Sequence, residues 1–436
     1  MPIYASVPSL GNYNEATSPS PKNRFLFTAM RVFSLSLLTL VLSVAAFAQA
    51  PAAAAAPAIP GVTTLRIKSA VLGEERNILV RTPRGYEAGN ARYPVLYMTD
   101  GDAHINHTGA TAEFLARNGR MSELIVVGIP NTDRVRDLSP TKISTVGATG
   151  APQFPTSGGA DKFLQFIETE LMPEIEKNYR AHPYRILAGH SLGGLFTVYA
   201  MVSKPDLFNS YIAVSPALNW DNQFVIKRAE EFLKTRKEAQ KTLYFSLGYE
   251  PGPIEDAFHQ FKQLLTRYPG KGLEWEAQEM TDEDHGSVVL RSHYAGLRKI
   301  YSDWRIPQDP DSGQIGVDLK GADAHYKKLS DKFGYTMGTP ELLINQIGYQ
   351  LLFAERRDEA IATFKANVER YPDSANVYDS LAEAYERGGQ NDLAAPLYEK
   401  AYQNGQKIND PNTQLYKTNF DRVSAKLKQT SSNTKP

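Results

Sequence analysis

The chain has 436 residues, long enough for two domains, and its 48 Lys and Arg residues balance its 48 Asp and Glu residues. A formal net charge of zero, without any basic stripe, argues against nucleic acid or an anionic membrane surface as a partner. The chain contains no cysteine, which excludes disulfides, thiolate nucleophiles and sulfur-ligated zinc.

The N-terminal stretch predicts export. A basic start at Met30 precedes an apolar run over 33–45, and small residues over 46–50 offer cleavage sites. We therefore expect a signal peptide region over 1–50, with Met30 as the true start, and a periplasmic or extracellular protein without a membrane span after cleavage. The following Ala/Pro stretch, 51–60, is typical of a tether.

Strands and helices alternate over the next 245 or so residues. The hydrophobic pattern predicts strands over 64–72, 76–83, 93–98, 124–129, 184–188, 211–214, 242–247 and 273–278, and helices over 161–179, 195–204, 255–268 and 288–304. This alternation predicts the α/β class, with a doubly wound, mostly parallel sheet that has helices on both faces. The first domain is expected to span 61–306.

A Pro/Asp/Gly-rich linker over 307–316 leads to a helical region over 317–430. Four positions recur after 34 residues, with Ile347, Ala360, Phe364 and Val368 matched by Leu381, Ala394, Tyr398 and Tyr402. That period and the Ala/aromatic spacing predict a small all-α module of tetratricopeptide type, although a helical bundle with a coincidental period remains the alternative. About two units are too few for a free-standing solenoid, so we expect the module to dock on the first domain or to self-associate.

The strongest chemical signal is Gly189-His190-Ser191-Leu192-Gly193, between an apolar run and a helix-like run. This G-x-S-x-G pattern in a strand–turn–helix context predicts a nucleophilic serine, Ser191, on a sharp turn. The backbone N–H of Leu192 then begins the helix and points to the place where an oxyanion would form. A glycine-rich turn that merely starts a helix is the competing interpretation.

A serine nucleophile needs a base and an orienting acid. His285 is the best of the eight histidines, because it follows the last predicted strand in the order serine, acid, histidine. Glu250 directly follows the preceding strand and is the preferred acid. The rival acids are Glu255, Asp256, Asp282 and Asp284.

Several other residues are candidates for the oxyanion hole or for substrate binding. Asp102, after the strand over 93–98, is placed to supply the second oxyanion N–H. Arg134 and Arg136 follow the next strand, where ligands bind in open α/β sheets, although a structural pairing of Arg136 with the neighbouring Asp137 is equally open.

Three histidines complete the candidate list. His190 is a candidate substrate contact, although its side chain should point away from Ser191. His104 and His107 are near the predicted oxyanion loop and are candidates to touch substrate, but no acidic cluster supports a metal site there. No cofactor is expected. The Gly/Pro/Ser-rich segment 146–159 is the predicted flap over the site.

Four segments, YPVLYMTDG (93–101), VVGIPNTDRVRDLSPT (126–141), RILAGHSLGGLFTVYA (185–200) and EDHGSVV (283–289), resemble the secreted esterase family of α/β-hydrolases. That family holds enterochelin-type siderophore esterases and relatives of esterase D. The resemblance implies ester hydrolysis by Ser191 with His285 as base, on acyl esters or siderophore lactones. Some members are described as Ser–His dyads, which leaves the need for Glu250 open.

Three alternative functions remain open from the sequence. Mycolyl-type acyltransferases share the fold, so transfer to an alcohol is one alternative. Peptidase activity through the same residues is another. The third is a binding protein with an inactive hydrolase fold that acts through its repeats, although the intact Ser191 and His285 pair argues against an inactive relic.

Overall fold

The computed structural model describes residues 61–143, 153–235, 240–269 and 272–433. The strands are β1 (Thr63–Ser69), β2 (Glu74–Arg81), β3 (Tyr93–Thr99), β4 (Ile125–Ile129), β5 (Ala181–His190), β6 (Ser210–Val214), β7 (Lys241–Leu247) and β8 (Leu273–Glu279). They form one sheet in the order β1-β2-β4-β3-β5-β6-β7-β8. β1 pairs antiparallel with β2, β2 pairs antiparallel with β4, and all other pairs are parallel. The predicted mostly parallel sheet is confirmed.

The sheet is covered on both faces. Its helices are α1 (Gly101–Arg117), α2 (Arg134–Leu138), α3 (Ala160–Phe166), α4 (Met172–Asn178), α5 (Leu192–Ser203), α6 (Trp220–Thr235), α7 (Pro253–Arg267) and α8 (Val288–Ile300). Neighbouring residues of a strand belong to opposite apolar cores: Tyr97 and Leu187 pack in one, and Leu96 and Ile186 in the other. The period-two alternation of strand side chains thus builds two cores.

The helices of the first domain differ from the sequence expectation in two ways. Three of them, α1, α2 and α6, were not predicted. The helix predicted over 161–179 is divided into α3 and α4 by one π-helical turn, Ile167–Leu171, and Pro173 stands in the first turn of α4. Proline is tolerated there because the first N–H groups of a helix have no intrahelical partner.

The C-terminal region is entirely helical. Its helices are α9 (Leu319–Phe333), α10 (Glu341–Phe353), α11 (Arg357–Arg370), α12 (Ala375–Arg387), α13 (Asn391–Ile408) and α14 (Thr413–Asn433). α9 packs against the first domain, because the Phe333 ring lies 4.7 Å from that of Tyr184 and 4.9 Å from that of Tyr301. Buried Leu329 and Phe333 belong to the same apolar core as α8 and β5.

The four helices α10 to α13 form two successive pairs. Six of the eight recurring positions predicted from the sequence are buried, and the other two, Val368 and Tyr402, are half-buried. The assignment of these pairs to the tetratricopeptide type stays a prediction. No helix within the described ranges is long and apolar enough to cross a membrane. The predicted signal region and tether, and residues 146–152 of the predicted flap, lie outside the described residues.

Candidate active site

Ser191 occupies a sharp turn between β5 and α5. Its backbone angles, φ 61° and ψ −114°, are strained for a residue with a side chain, and such strain concentrates at functional sites. The Ser191 N–H donates to the Val214 carbonyl at 2.9 Å, and its carbonyl accepts from the Leu195 N–H at 2.9 Å. A Cβ on Gly189 would overlap the carbonyl of Gly193, so the turn requires a glycine there.

His285 and Glu250 meet at the same edge of the sheet. Glu250 follows β7 and His285 follows β8, and the Nδ1 of His285 lies 2.5 Å from the Oε2 of Glu250. Because a carboxylate only accepts, Nδ1 carries the proton and Nε2 is left as the basic nitrogen. The Glu250 side chain is 8 % exposed and that of His285 41 %, so the acid is buried behind an accessible base.

The loops that carry these two residues pack directly on one another. The Tyr249 N–H donates to the Glu283 carbonyl at 2.7 Å. At Gly248 a Cβ would approach the Asp284 carbonyl oxygen to 2.8 Å, which real Cβ atoms essentially never do. The absence of a side chain at Gly248 therefore lets the two loops come close enough for the acid to reach the histidine.

Glu250 is held as a carboxylate. Burial alone would raise the pKa of Glu250, but hydrogen bonds from His285 and from the Ser215 hydroxyl outweigh burial and hold that pKa below its ordinary value. Ser215 is fully buried, has a left-handed backbone (φ 40°), and accepts from the Gly248 N–H at 3.3 Å. A buried anion beside the histidine stabilises the imidazolium that forms when the base takes a proton.

The rival acids are engaged elsewhere or lie in a different element. Asp282 pairs with Arg291 at 2.5 Å, and the Oδ1 of Asp284 accepts from two backbone N–H groups of its own loop. Glu255 and Asp256 lie in the first turn of α7. Five acids were considered from the sequence. Among the described hydrogen bonds, the one from His285 to an acid of this set goes to Glu250.

Leu192 and Asp102 both lie in first helical turns at the carboxyl edge of the sheet. Leu192 is the first residue of α5, and Asp102 is the second residue of α1, which begins directly at Gly101 and not after a loop. N–H groups in a first turn have no carbonyl partner within their own helix. Because β3 and β5 are adjacent and parallel, with Met98 opposite Ala188, both helices start from neighbouring strands.

A buried aspartate links these two helix starts. Asp100, with a left-handed φ of 53°, precedes α1, and its Oδ1 accepts from Asn131 Nδ2 at 2.6 Å and from Arg134 Nε at 2.6 Å. Burial alone would raise the pKa of Asp100, but the hydrogen bonds from Arg134 and Asn131 outweigh it, and the pKa lies below its ordinary value. Arg134 Nη2 also donates to the carbonyl of His190 at 3.0 Å.

Both predicted substrate-binding arginines are occupied by protein groups. Arg134 is bound to Asp100 and to the nucleophile strand, so its contacts are structural. Arg136 donates to Glu74 at 2.7 Å and to Asp137 at 2.7 Å, the internal pairing that the sequence left open. These hydrogen bonds, Glu74 first and then Asp137, raise the pKa of Arg136, which is expected for a cation between two carboxylates.

Four other histidine rings lie behind His285. His190 Nε2 is 2.7 Å from the backbone oxygen of His285, and the two rings are 4.6 Å apart. The His104 ring lies 5.8 Å from that of His190, 5.2 Å from that of His107 and 6.1 Å from that of His293. The His190 side chain thus contacts the loop of the predicted base. We call His104, His107, His190 and His293 the histidine cluster.

The surroundings of the histidine cluster favour the neutral form of its rings. Burial, and then the neighbouring imidazoles, lower the pKa values of His107 and His190 to about 4 and that of His293 well below its ordinary value. The Nε2 atoms of His107 and His293 are buried without a hydrogen-bond partner. Over the described ranges, no three or more His, Asp or Glu side chains are arranged to hold a metal ion.

The described end of the predicted flap contacts the loop after β6. The ring of Phe154 lies 5.2 Å from that of Trp220, and the Trp220 Nε1–H donates to the Thr141 hydroxyl at 3.1 Å. The residues that follow, Asp221 to Gln223, all have left-handed backbones. The Ala217 N–H donates to the Ser191 carbonyl at 3.1 Å, so this loop is fixed to the nucleophile turn.

The sequence analysis did not identify three residues of the site. Ser215 directly follows a predicted strand at the carboxyl edge, and that position was the available signal. Asn131 likewise follows β4, next to the arginines that were singled out. His293 is 1 % exposed, and its Nδ1 lies 2.8 Å from the Thr108 hydroxyl, a contact that nothing in the sequence indicates.

Comparison with known proteins places this chain among esterases. The family model described as "Putative esterase" matches residues 69–285. The ferri-bacillibactin esterase of Bacillus subtilis is 29% identical over 253 residues, covering 53% of this chain and 86% of the relative. A siderophore enterobactin esterase of Emericella nidulans is 30% identical over 236 residues, covering 44% of this chain and 77% of the relative.

A solved structure extends the similarity in three dimensions. An IroE-like serine hydrolase from Shewanella oneidensis is 28% identical with a TM-score of 0.61, covering 71% of this chain and 99% of that chain. The sheet, the strained serine turn and these matches agree, and the chain belongs to the "Putative esterase" family of α/β-hydrolases, a family of carboxylic ester hydrolases.

Proposed function

We propose that this protein is an exported serine esterase whose nucleophile is Ser191. The observation that carries the proposal is the contact of His285 Nδ1 with Glu250 at 2.5 Å, at the sheet edge where Ser191 occupies its strained turn. Nucleophile, base and acid then follow β5, β8 and β7. That arrangement is typical of the Ser–His–acid mechanism, in which the acid orients the histidine.

The reaction has two halves. His285 Nε2 takes the Ser191 hydroxyl proton while Oγ attacks the ester carbonyl carbon, and the N–H groups of Leu192 and Asp102 stabilise the oxyanion. Collapse of the tetrahedral intermediate breaks the ester C–O bond, and His285 gives its proton to the departing alcohol. Water, deprotonated by His285, then attacks the acyl-enzyme and releases the carboxylic acid and free Ser191.

The substrate class we propose is an ester-linked siderophore or its lactone. Support comes from the relatives, whose names describe esterases of ferri-bacillibactin and enterobactin. Export is supported by the basic start at Met30 and the apolar run that follows it.

The decisive experiment is labelling of the purified mature protein with a fluorophosphonate, beside Ser191→Ala and His285→Ala. We expect wild type to be labelled, Ser191→Ala not to be labelled, and His285→Ala to react at least about 10²-fold more slowly. Hydrolysis of cyclic trilactones is then compared with hydrolysis of short acyl esters. A folded wild type that is not labelled would exclude an activated serine, and hydrolysis confined to short acyl esters would exclude the siderophore substrate class.

A further inference from the structure

The contact between His190 and the backbone of His285 has a defined direction. His190 Nε2 lies 2.7 Å from the carbonyl oxygen of His285. A carbonyl oxygen only accepts, so Nε2–H donates, and in the neutral ring Nδ1 is bare. This hydrogen bond joins the residue before the nucleophile to the loop that carries the predicted base.

We propose that His190 is a positioning residue, which through its Nε2–H holds the loop of His285 so that its base can reach Ser191. The proposal rests on the proposed function, because it gives His190 a purpose only where His285 acts as the base. The sequence analysis gave His190 as a candidate substrate contact. The positioning role replaces that one, because the ring contacts the loop of His285.

The loop of His285 is bound to the Glu250 loop through Tyr249 and to itself through Asp284, but among the described hydrogen bonds the one to the backbone of His285 comes from His190. The His285 side chain is 41 % exposed, and its described hydrogen bond is to Glu250, itself on a loop. β5 is a central strand of the sheet and provides a rigid mount for His190. Displacement of a reacting group by about 1 Å costs about 10²-fold in rate, so a second anchor at the backbone of the base has a measurable effect.

The neutral state of His190 also matters for catalysis. When His285 takes the serine proton it becomes a cation, and its ring is 4.6 Å from that of His190. A second cation there would oppose that step. The groups that face His190 are Asp100, His104, His285 and His293, and Arg134 is bound to its carbonyl. Asp100 is neutralised by Arg134, and the neighbouring imidazoles disfavour a charge on His190.

The test compares three substitutions at one position. His190→Gln keeps an N–H donor at the reach of Nε2, His190→Asn keeps an amide that is too short, and His190→Phe keeps a ring without a donor. We expect kcat on a chromogenic short acyl ester to fall about 10²-fold for Phe and Asn, with KM changed less than twofold. The Gln variant should recover to within about fivefold of wild type.

A matched control removes a histidine at the opposite end of the same strand. His182 stacks on Tyr335 at 3.7 Å, far along β5 from the nucleophile turn, and His182→Gln should keep wild-type kcat and KM. In spectra of the ¹⁵N-histidine-labelled protein, His190 should remain the neutral Nε2–H tautomer at pH 6.

The outcomes separate the two proposals. If fluorophosphonate labels wild type and His190→Phe at equal rates, the positioning role is wrong while the serine mechanism stands. A Gln variant as slow as the Asn variant, with both folded by circular dichroism, also overturns the positioning role, because the donor would then not matter. If wild type is not labelled at all, the serine mechanism fails and His190 has no base to position.

Discussion

Arg134 holds Asp100 through two hydrogen bonds, from Nε to Oδ1 at 2.6 Å and from Nη2 to Oδ2 at 3.1 Å. The same Nη2 reaches the carbonyl of His190 at 3.0 Å. One guanidinium therefore connects the residue before α1 with the residue before Ser191. Because α1 and α5 supply the two predicted oxyanion N–H groups, their relative position depends on this side chain.

Replacement of Arg134 should lower kcat without selecting against charged substrates. Arg134→Met leaves Asp100 buried with two hydrogen bonds fewer and frees the start of α1, so we expect kcat to fall about 10-fold to 100-fold on anionic and neutral esters alike. The measurement is kcat and KM on a matched pair of esters. A rise in KM confined to the anionic ester would instead support the substrate contact predicted from the sequence.

Glu250 should be required for full activity. Glu250→Gln replaces a carboxylate that accepts from Nδ1 by an amide that can present a donor, which favours the wrong tautomer of His285. We expect kcat to fall at least about 10²-fold, with the ester KM nearly unchanged. The control is Glu255→Gln, in the first turn of α7. A loss of less than threefold at Glu250 would favour a Ser–His dyad.

Substitutions at two glycines of the nucleophile turn should differ in whether a second substitution can restore the stability that they cost. At Gly193 an added Cβ would meet the Thr99 hydroxyl first, whereas at Gly189 it would meet the backbone of Gly193. We expect Gly189→Ala to lower the free energy of unfolding by about 3 kcal/mol or to prevent folding. Gly193→Ala should also be destabilising, but Thr99→Ala should recover much of that loss.

The measurement for this pair is urea unfolding of the single and double variants. Thr99 Oγ1 is buried without a hydrogen-bond partner, so Thr99→Ala alone should cost little and serves as the control. The prediction fails if Thr99→Ala rescues both glycine variants equally, because backbone overlap at Gly189 has no side chain to remove.

The histidine cluster should make the protein less stable in mild acid. A histidine with a lowered folded-state pKa binds a proton in the unfolded chain below pH 6.5 but not in the folded chain until about pH 4 for His107 and His190. Stability is therefore highest above pH 6.5 and falls as the pH falls from 6.5 towards 4, by about 1.4 kcal/mol per pH unit for each such histidine.

His107→Leu tests this pH dependence. Its Nε2 is buried without a hydrogen-bond partner, so removal of the ring should flatten the slope of unfolding free energy between pH 4.5 and 6 by about 1.4 kcal/mol per unit. The control, His259→Leu, removes a histidine outside the cluster, a 42 % exposed imidazole that pairs with Glu279. An unchanged slope for His107→Leu would mean that this ring is already charged in the folded protein.

Part of the site could be predicted from the sequence, because the hydrophobic period locates the strands and the order of the chain locates the residues that follow them. Apolar runs located the strands, and the residues just after them, Ser191, Glu250 and His285, follow from the rule that parallel strands end at one edge. The contacts of Arg134 and His190 could not be predicted in the same way. They depend on the atomic reach of side chains between segments 34 to 95 residues apart, which no local pattern records.

The packing of α9 determines where the chain can be divided. Phe333 lies against Tyr184 and Tyr301, and Tyr335 stacks on His182, so the helix seals the end of the sheet opposite to Ser191. A protein truncated at the predicted linker, 307–316, would lose Phe333 and Tyr335, would expose Tyr184 and Tyr301 to water and should aggregate. A version ending at Gly338, before α10, keeps them covered and is the shortest piece that we expect to remain a soluble esterase.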